Sequence, residues 1–256
     1  MRGVAKKDSS VSKVVVRGGD ITEITINRPE KHNAMDMETL KGLEKAIRSA
    51  SAKKECRAIV IDGEGGKAFS AGGDINMLFE ADEKKAGEIF DAFLDVISAI
   101  RESEKIVIAA ITGYCFGGGC EIACACDFRF ASIDSKFAQP EVRIGVTPGG
   151  GATYNLGRII GLQKARMMIF TGGQIDAKTA LSFGLVDRIV NRGMMEYIRR
   201  FISETGDAEV VGFAKMGINR VIRDKSSVER EFFVRSLVSK RAKTAMAAFL
   251  GRKGAR

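Results

Sequence analysis

Apolar and polar positions along the chain follow two alternating rhythms. Val14-Val-Val and the alternation in Ile21-Thr-Glu-Ile-Thr-Ile-Asn27 predict two strands joined through Gly18-Gly19-Asp20 as a hairpin. A break follows at Asn27-Arg-Pro29. From Met37 the apolar positions Leu40, Leu43, Ile47 and Ala50 recur every three or four residues, which predicts an amphipathic helix. Ala58-Ile-Val-Ile-Asp62 is then a short apolar run of strand length, and the cycle repeats. Ala86, Ile89, Phe90, Phe93, Ile97 and Ile100 mark a second amphipathic helix, and Ile106-Val-Ile-Ala-Ala-Ile111 the next buried strand. Strands alternating with helices of this length imply a largely parallel sheet and the α/β class. After Phe128-Arg-Phe-Ala131 the chain is expected to be mainly helical, with one more short strand from Leu185 to Val190. No linker or low-complexity segment divides it. We expect a core over 1–192 and a C-terminal helical region over 193–256, folded over or beside it.

Composition narrows the class. A chain of 256 residues with 45% hydrophobic content can bury one large core. The first residues are polar and basic, without the apolar stretch of a secretory signal, and read as a loose tail. No apolar run approaches the roughly 18 residues of a membrane span, so a soluble, cytoplasmic protein is expected. The five cysteines (Cys56, Cys115, Cys120, Cys124, Cys126) are odd in number, and four of them crowd into one apolar stretch. They read as reduced, buried thiols rather than a disulfide framework. Their spacing fits no zinc pattern and the only histidine, His32, is remote in sequence, so no metal is expected.

The net charge of +9 and a pI near 9.4 favour a polyanionic partner: nucleic acid, an anionic membrane or a phosphorylated ligand. Residues 217–256 hold eleven Lys or Arg against three acids, which for the most part reads as a solvated helix face.

Three glycine-containing segments carry the candidate chemistry. Ala68-Phe-Ser-Ala-Gly-Gly-Asp-Ile75 follows a strand and allows a tight backbone path with free N–H groups. In Gly113-Tyr-Cys-Phe-Gly-Gly-Gly-Cys-Glu121 a strand gives way to an apolar helix whose opening N–H donors suit a developing negative charge. The third, Phe137-Ala-Gln-Pro-Glu-Val-Arg-Ile-Gly-Val-Thr-Pro-Gly-Gly-Gly151, puts Glu141 in a loop before another helix. Glu121 sits among Cys120, Ile122, Ala123 and Cys124, where a carboxylate is costly to bury. A structural salt bridge could account for it, and Glu141 alone could be a surface residue. Two carboxylates beside a glycine-built anion hole are, however, what adding or removing water next to a carbonyl requires. The glycines do not form the GxGxxG dinucleotide fingerprint, so a dehydrogenase is not expected.

These segments resemble the enoyl-CoA hydratase/isomerase (crotonase) superfamily. The likeness runs from about Val14 to Lys253 through Asn27-Arg-Pro-Glu-Lys-His-Asn-Ala34, Phe69-Ser-Ala-Gly-Gly-Asp-Ile75, Gly117-Gly-Gly-Cys-Glu121, Gln139-Pro-Glu141, Thr171-Gly172 and Ala247-Ala-Phe-Leu250. The resemblance implies a spiral of strand-strand-helix units with a C-terminal helical region, assembled as a homotrimer or homohexamer. It implies an acyl-CoA substrate and no separate cofactor, coenzyme A entering as part of the substrate. By the same likeness the backbone N–H groups of Ala71 and Gly118 polarise the thioester oxygen. Glu141 exchanges the proton at the α-carbon and Glu121 activates the water that adds to the β-carbon, giving hydro-lyase activity on a 2-enoyl-CoA. Lys31 and Ala71, Gly72, Gly73, Asp74 and Gly118 are implied substrate contacts, with Lys31 and the Arg252-Lys253 end near the coenzyme A phosphates. Tyr154-Asn155 departs from the hydratase pattern, where a Gln-Arg pair is more usual. The alternatives are an isomerase or thioester hydrolase of the same family, or a non-catalytic member that binds RNA or acyl-CoA through its basic C-terminal region. Nucleic acid is not the expected partner.

Overall fold

A computed structural model of the chain describes residues 12–221 and 226–251. The expected N-terminal tail lies almost wholly outside these residues, and the Arg252-Lys253 end lies outside them entirely.

Two sheets are built in parallel from the same turns of chain. The hairpin forms as expected: β1 (Val14–Arg17) runs antiparallel to β2 (Ile21–Ile26), Val14 opposite Ile26. From β2 the sheet continues in parallel through β3 (Ala58–Gly63), β5 (Ile106–Ile111), β7 (Phe128–Ala131) and β10 (Arg188–Ile189). A smaller sheet stacks the short strands β4 (Ala68–Ser70), β6 (Tyr114–Phe116) and β8 (Lys136–Ala138), with β9 (Ile175–Asp176) antiparallel at its edge. Each turn of the spiral lays one long strand, one short strand and then helix. The helices are α1 (Met37–Ser51), α2 (Ile75–Glu80), α3 (Glu83–Glu102), α4 (Gly118–Ala125), α5 (Ala152–Ile160), α6 (Leu162–Thr171) and α7 (Ala177–Phe183).

The unbroken apolar runs of β3 and β5 are explained by cover on both faces. Ile59, Ile61, Val107, Ala109 and Ile111 point into a large core shared with α1, α3 and α4. Their alternates Ala58, Val60, Ile106, Ile108 and Ala110 point into a second core closed by Ile198 and Ile202 of α8 (Met194–Ser203). Beyond α8 the chain is helical: α9 (Ala208–Val221), α10 (Ser226–Leu237) and α11 (Lys240–Phe249). Phe233, Leu237, Ala242 and Met246 of the last two join the large core directly.

Two sequence expectations need correction. The stretch after Ala131 is not free of further strands before Leu185, because β8 and β9 lie there; strands of three and two residues are too short to show a period. The strand expected over Leu185 to Val190 is only Arg188–Ile189, since Leu185 and Val186 are buried as core residues ahead of it. The basic C-terminal residues are also not uniformly solvated. Lys243 donates to the carbonyls of Leu78 (3.2 Å), Phe79 (2.6 Å) and Ala81 (2.5 Å), tying α11 to the end of α2.

All five cysteines are buried and free. Among the described residues no helix is long and apolar enough to cross a membrane, and no group of three or more His, Cys, Asp or Glu could hold a metal ion.

Asp36 anchors the start of the fold. It caps α1 by accepting from Thr39 N (2.9 Å) and binds Lys13 at 2.7 Å. Burial alone would raise its carboxyl, but hydrogen bonds from Lys13 and Thr39 prevail and bring it from 3.8 down to about 2. Asp36→Ala is expected to cost about 1–2 kcal/mol in urea unfolding at neutral pH. Because the folded value lies below the unfolded one, Asp36's contribution is present above about pH 4 and is lost as the pH falls through about 2, so the gap between wild type and variant should close over that window. A gap that does not change with pH would contradict this assignment.

Candidate active site

The site begins with a knot between two distant loops. Asn33, fully buried and held at φ 55°, donates from Nδ2 to the carbonyls of Ala68 (2.7 Å) and Glu64 (3.0 Å) and accepts from Arg28 N (3.0 Å). Ser70 Oγ donates to Asn33 O at 2.8 Å and accepts from Gly72 N at 3.1 Å. Asp74 accepts from Asn76 N (3.0 Å) at the start of α2 and binds Arg28 Nη2 at 3.0 Å. The Asn27–Ala34 and Phe69–Ile75 segments are thus two halves of one structure, with Asp74's carboxylate committed to holding it.

This knot presses the backbone of residues 71–73 against the start of α4. A Cβ on Gly72, at φ 99°, would lie 3.0 Å from Phe116 O and 3.1 Å from Gly118 N. Only glycine fits there. Gly118 N–H opens α4, so the helix offers it no acceptor, and among the described residues it has no other. The second expected donor is occupied: Ala71 N–H donates to His32 O at 2.9 Å. The two groups are therefore adjacent through Gly72, but only Gly118 is unpaired in this conformation.

Glu121 lies one turn into α4 and is only 3% exposed. Its Oε1 accepts from Gly150 N at 2.8 Å and Ala152 N at 2.9 Å. Ala152 is the first residue of α5 and Gly150 lies just ahead of its cap, so the carboxylate faces the positive end of that helix, which supplies what the surrounding apolar residues cannot. Glu141 begins a 3-10 turn, Glu141–Ile144, with its carboxylate against Gly117, where an added Cβ would be 3.0 Å from Oε1. Gln139, fully buried, sets its amide against Glu141; assigned with its nitrogen facing the carboxyl group, it donates at 3.0 Å to Oε1 and 3.2 Å to Oε2.

One cavity of about 780 Å³ gathers these groups: Lys31, Ala71, Gly72, Gly73, Asp74, Gly118, Glu121 and Glu141 all line it. Lys31 stands exposed at the rim. Sequence reasoning missed the apolar wall, to which Phe93, Leu78, Val146 and Phe233 contribute. It also passed over Asn33, Ser70 and Gln139, whose signal was a polar side chain inside an otherwise apolar or turn-forming motif. The nearby thiols are not chemically poised. Hydrogen bonding with Cys115, then burial, pushes the Cys120 thiol well up, and hydrogen bonding with Cys120 does the same to Cys124.

The family model described as enoyl-CoA hydratase/isomerase matches residues 17–251. The chain is 34% identical over 249 residues to a short-chain-enoyl-CoA hydratase of Clostridium acetobutylicum, covering 94% of this chain and 95% of that one. It is 33% identical to a crotonyl-CoA hydratase of Syntrophomonas wolfei, covering 90% and 91%. Among solved structures, an enoyl-CoA hydratase from Bacillus halodurans superposes with a TM-score of 0.85 at 25% identity, over 93% of this chain and 100% of that one.

The Glu121 cradle makes a steric prediction. A methyl at Gly150 would sit 2.6 Å from Glu121 Oε2, whereas one at Gly217 on α9 meets nothing within 4 Å. Gly150→Ala is expected to destabilise by about 1–3 kcal/mol, the scale of disturbing a buried hydrogen-bonded group. Gly217→Ala should instead stabilise by up to about 1 kcal/mol. Urea unfolding of both variants reads the difference, and effects of the same sign would sink the steric account.

Proposed function

The chain belongs to the enoyl-CoA hydratase/isomerase family, and we propose from that premise that it catalyses reversible addition of water to a 2-enoyl-CoA, giving a 3-hydroxyacyl-CoA. The observation that carries this reading is that two carboxylates, Glu121 and Glu141, line the same cavity as an unpaired helix-opening N–H.

In the hydration direction the thioester oxygen accepts from Gly118 N–H. Ala71 N–H joins it by sharing or releasing its bond to His32 O. Each such donor is worth about 3–4 kcal/mol to an oxyanion in a water-poor site. With electron density drawn to that oxygen, the β-carbon becomes electrophilic. Glu121, held by the N–H groups of Gly150 and Ala152, holds the water and takes one of its protons while the oxygen bonds to the β-carbon. Glu141, entering the cycle as the carboxylic acid, delivers its proton to the α-carbon as the enolate collapses, and Gln139 fixes its carboxyl group; after product leaves, Glu121 gives up the water proton and Glu141 regains one, which restores both groups. The net change is one hydroxyl and one hydrogen added across the double bond. No separate cofactor takes part.

Lys31 at the cavity rim suits a phosphate of the coenzyme A moiety. A homotrimer or homohexamer working in the cytoplasm, in β-oxidation-type fatty acid metabolism, completes the reading.

The test is loss of the enoyl absorbance of crotonyl-CoA. Wild type should hydrate it, and Glu121→Gln and Glu141→Gln should each lower kcat by about 10²–10⁴-fold, the range for a positioned acid or base. A wild type that binds the thioester but leaves it unhydrated would point to isomerase or hydrolase chemistry.

A further inference from the structure

We infer that Arg101 is a positioning residue for Glu121, acting on it through the first turn of α5; the inference rests on the reading of Glu121 as the group that holds the water. Arg101 stands in the last turn of α3, and its Nη2 donates to Asn155 Oδ1 at 2.6 Å. Its guanidinium carbon lies 5.9 Å from the centre of the Tyr154 ring. Both partners belong to the opening of α5, where Asn155 N (2.8 Å) and Tyr154 N (3.3 Å) donate to Gly151 O. On either side of Gly151 stand the two donors of the Glu121 cradle, Gly150 and Ala152. One helical turn therefore connects the guanidinium to the carboxylate.

The contact is selective. A guanidinium can only donate, so it fixes the oxygen end of the Asn155 amide toward α3. Asn155 is 4% exposed, and its Nδ2 has no hydrogen-bond partner among the described residues, so the contact with Arg101 is the polar interaction that orients this amide. The other end of the link is also secured. Arg101 O accepts from Asn219 Nδ2 at 2.9 Å, and Lys215 Nζ, paired with Asp127 at 2.8 Å, donates to Ile100 O and Lys105 O at 2.9 Å each. The end of α3 is thus pinned by α9, and Arg101 passes that fixed reference to α5. A carboxylate held by the N–H groups of a helix start moves with any rotation of that turn, and small misplacements at a reacting group carry large rate penalties.

Steady-state hydration of crotonyl-CoA by wild type, Arg101→Met, Arg101→Lys and the exchanged pair Arg101→Asn/Asn155→Arg tests this. Arg101→Met should lower kcat at least about tenfold with KM within about twofold, because ground-state thioester contacts are untouched. Arg101→Lys, which keeps one donor, and the exchanged pair, which rebuilds the bond from the opposite helix, should each recover part of the loss. A folded Arg101→Met with wild-type kcat, a loss carried by KM alone, or no recovery in either rescuing variant would overturn the inference. Should Arg101→Met fail to fold, the Arg101→Lys kcat, expected between wild type and inactive, decides. Failure of wild type to hydrate any enoyl-CoA would instead count against the reading of Glu121. Crystal structures of wild type and Arg101→Lys then still read the positioning: the Gly150 and Ala152 bonds to Glu121 should differ between them, and identical cradles would overturn it.

Discussion

Glu121 is a carboxylate projecting from a helix whose other residues are small and apolar, and at 3% exposure it has almost no access to solvent. Such a group is tolerated only where something replaces water around it. Here the replacement is the start of a second helix, with Gly150 N and Ala152 N donating to Oε1. That one constraint fixes much else. It requires α4 and α5 to meet end against side and keeps position 150 free of a side chain. It also makes the 145–151 loop part of the site rather than a connection between elements.

The spiral supplies the meeting. Each long buried strand carries the chain across the core, and each short strand returns it to the same edge, so Ser70, Phe116 and Ala138 end close together. Beyond those ends come the 71–73 backbone, the opening of α4 and the Glu141 turn. The catalytic groups proposed here thus come from three successive turns of one repeated unit. The C-terminal helices close the remaining side, with Phe233 laid on Gly149 and Lys243 fastening α11 to α2.

Much of this was legible in the chain. Burial of Ala58 to Ile61 in β3 and of all of β5 gave apolar runs that no amphipathic helix would need, and the spacing of Leu40, Leu43 and Ile47 declared α1. Gly117 to Glu121 announced an anion-friendly helix start, and the cavity collects every site residue expected on this chain short of its C-terminal end. What stayed hidden depended on contacts between remote segments. The small sheet has strands of two or three residues, below the length at which a period can be read. Neither the hold of Gln139 on Glu141 nor that of Arg101 on Asn155 leaves a local pattern. The engagement of Ala71 N–H by His32 O likewise leaves no trace in the sequence, and of the two donors proposed for the thioester oxygen it leaves Gly118 alone open.

The central claim is that the thioester oxygen is received at Gly118 and Ala71 while the two glutamates flank the carbon atoms that change. A crystal structure with a bound 3-hydroxyacyl-CoA measures this directly. The account predicts the thioester oxygen within hydrogen-bond distance of Gly118 N and Ala71 N, the bond from Ala71 N to His32 O lengthened or shared, and the 3-hydroxyl on the Glu121 side with the α-carbon on the Glu141 side. A thioester oxygen away from Gly118 N, or a hydroxyl remote from Glu121, would contradict it.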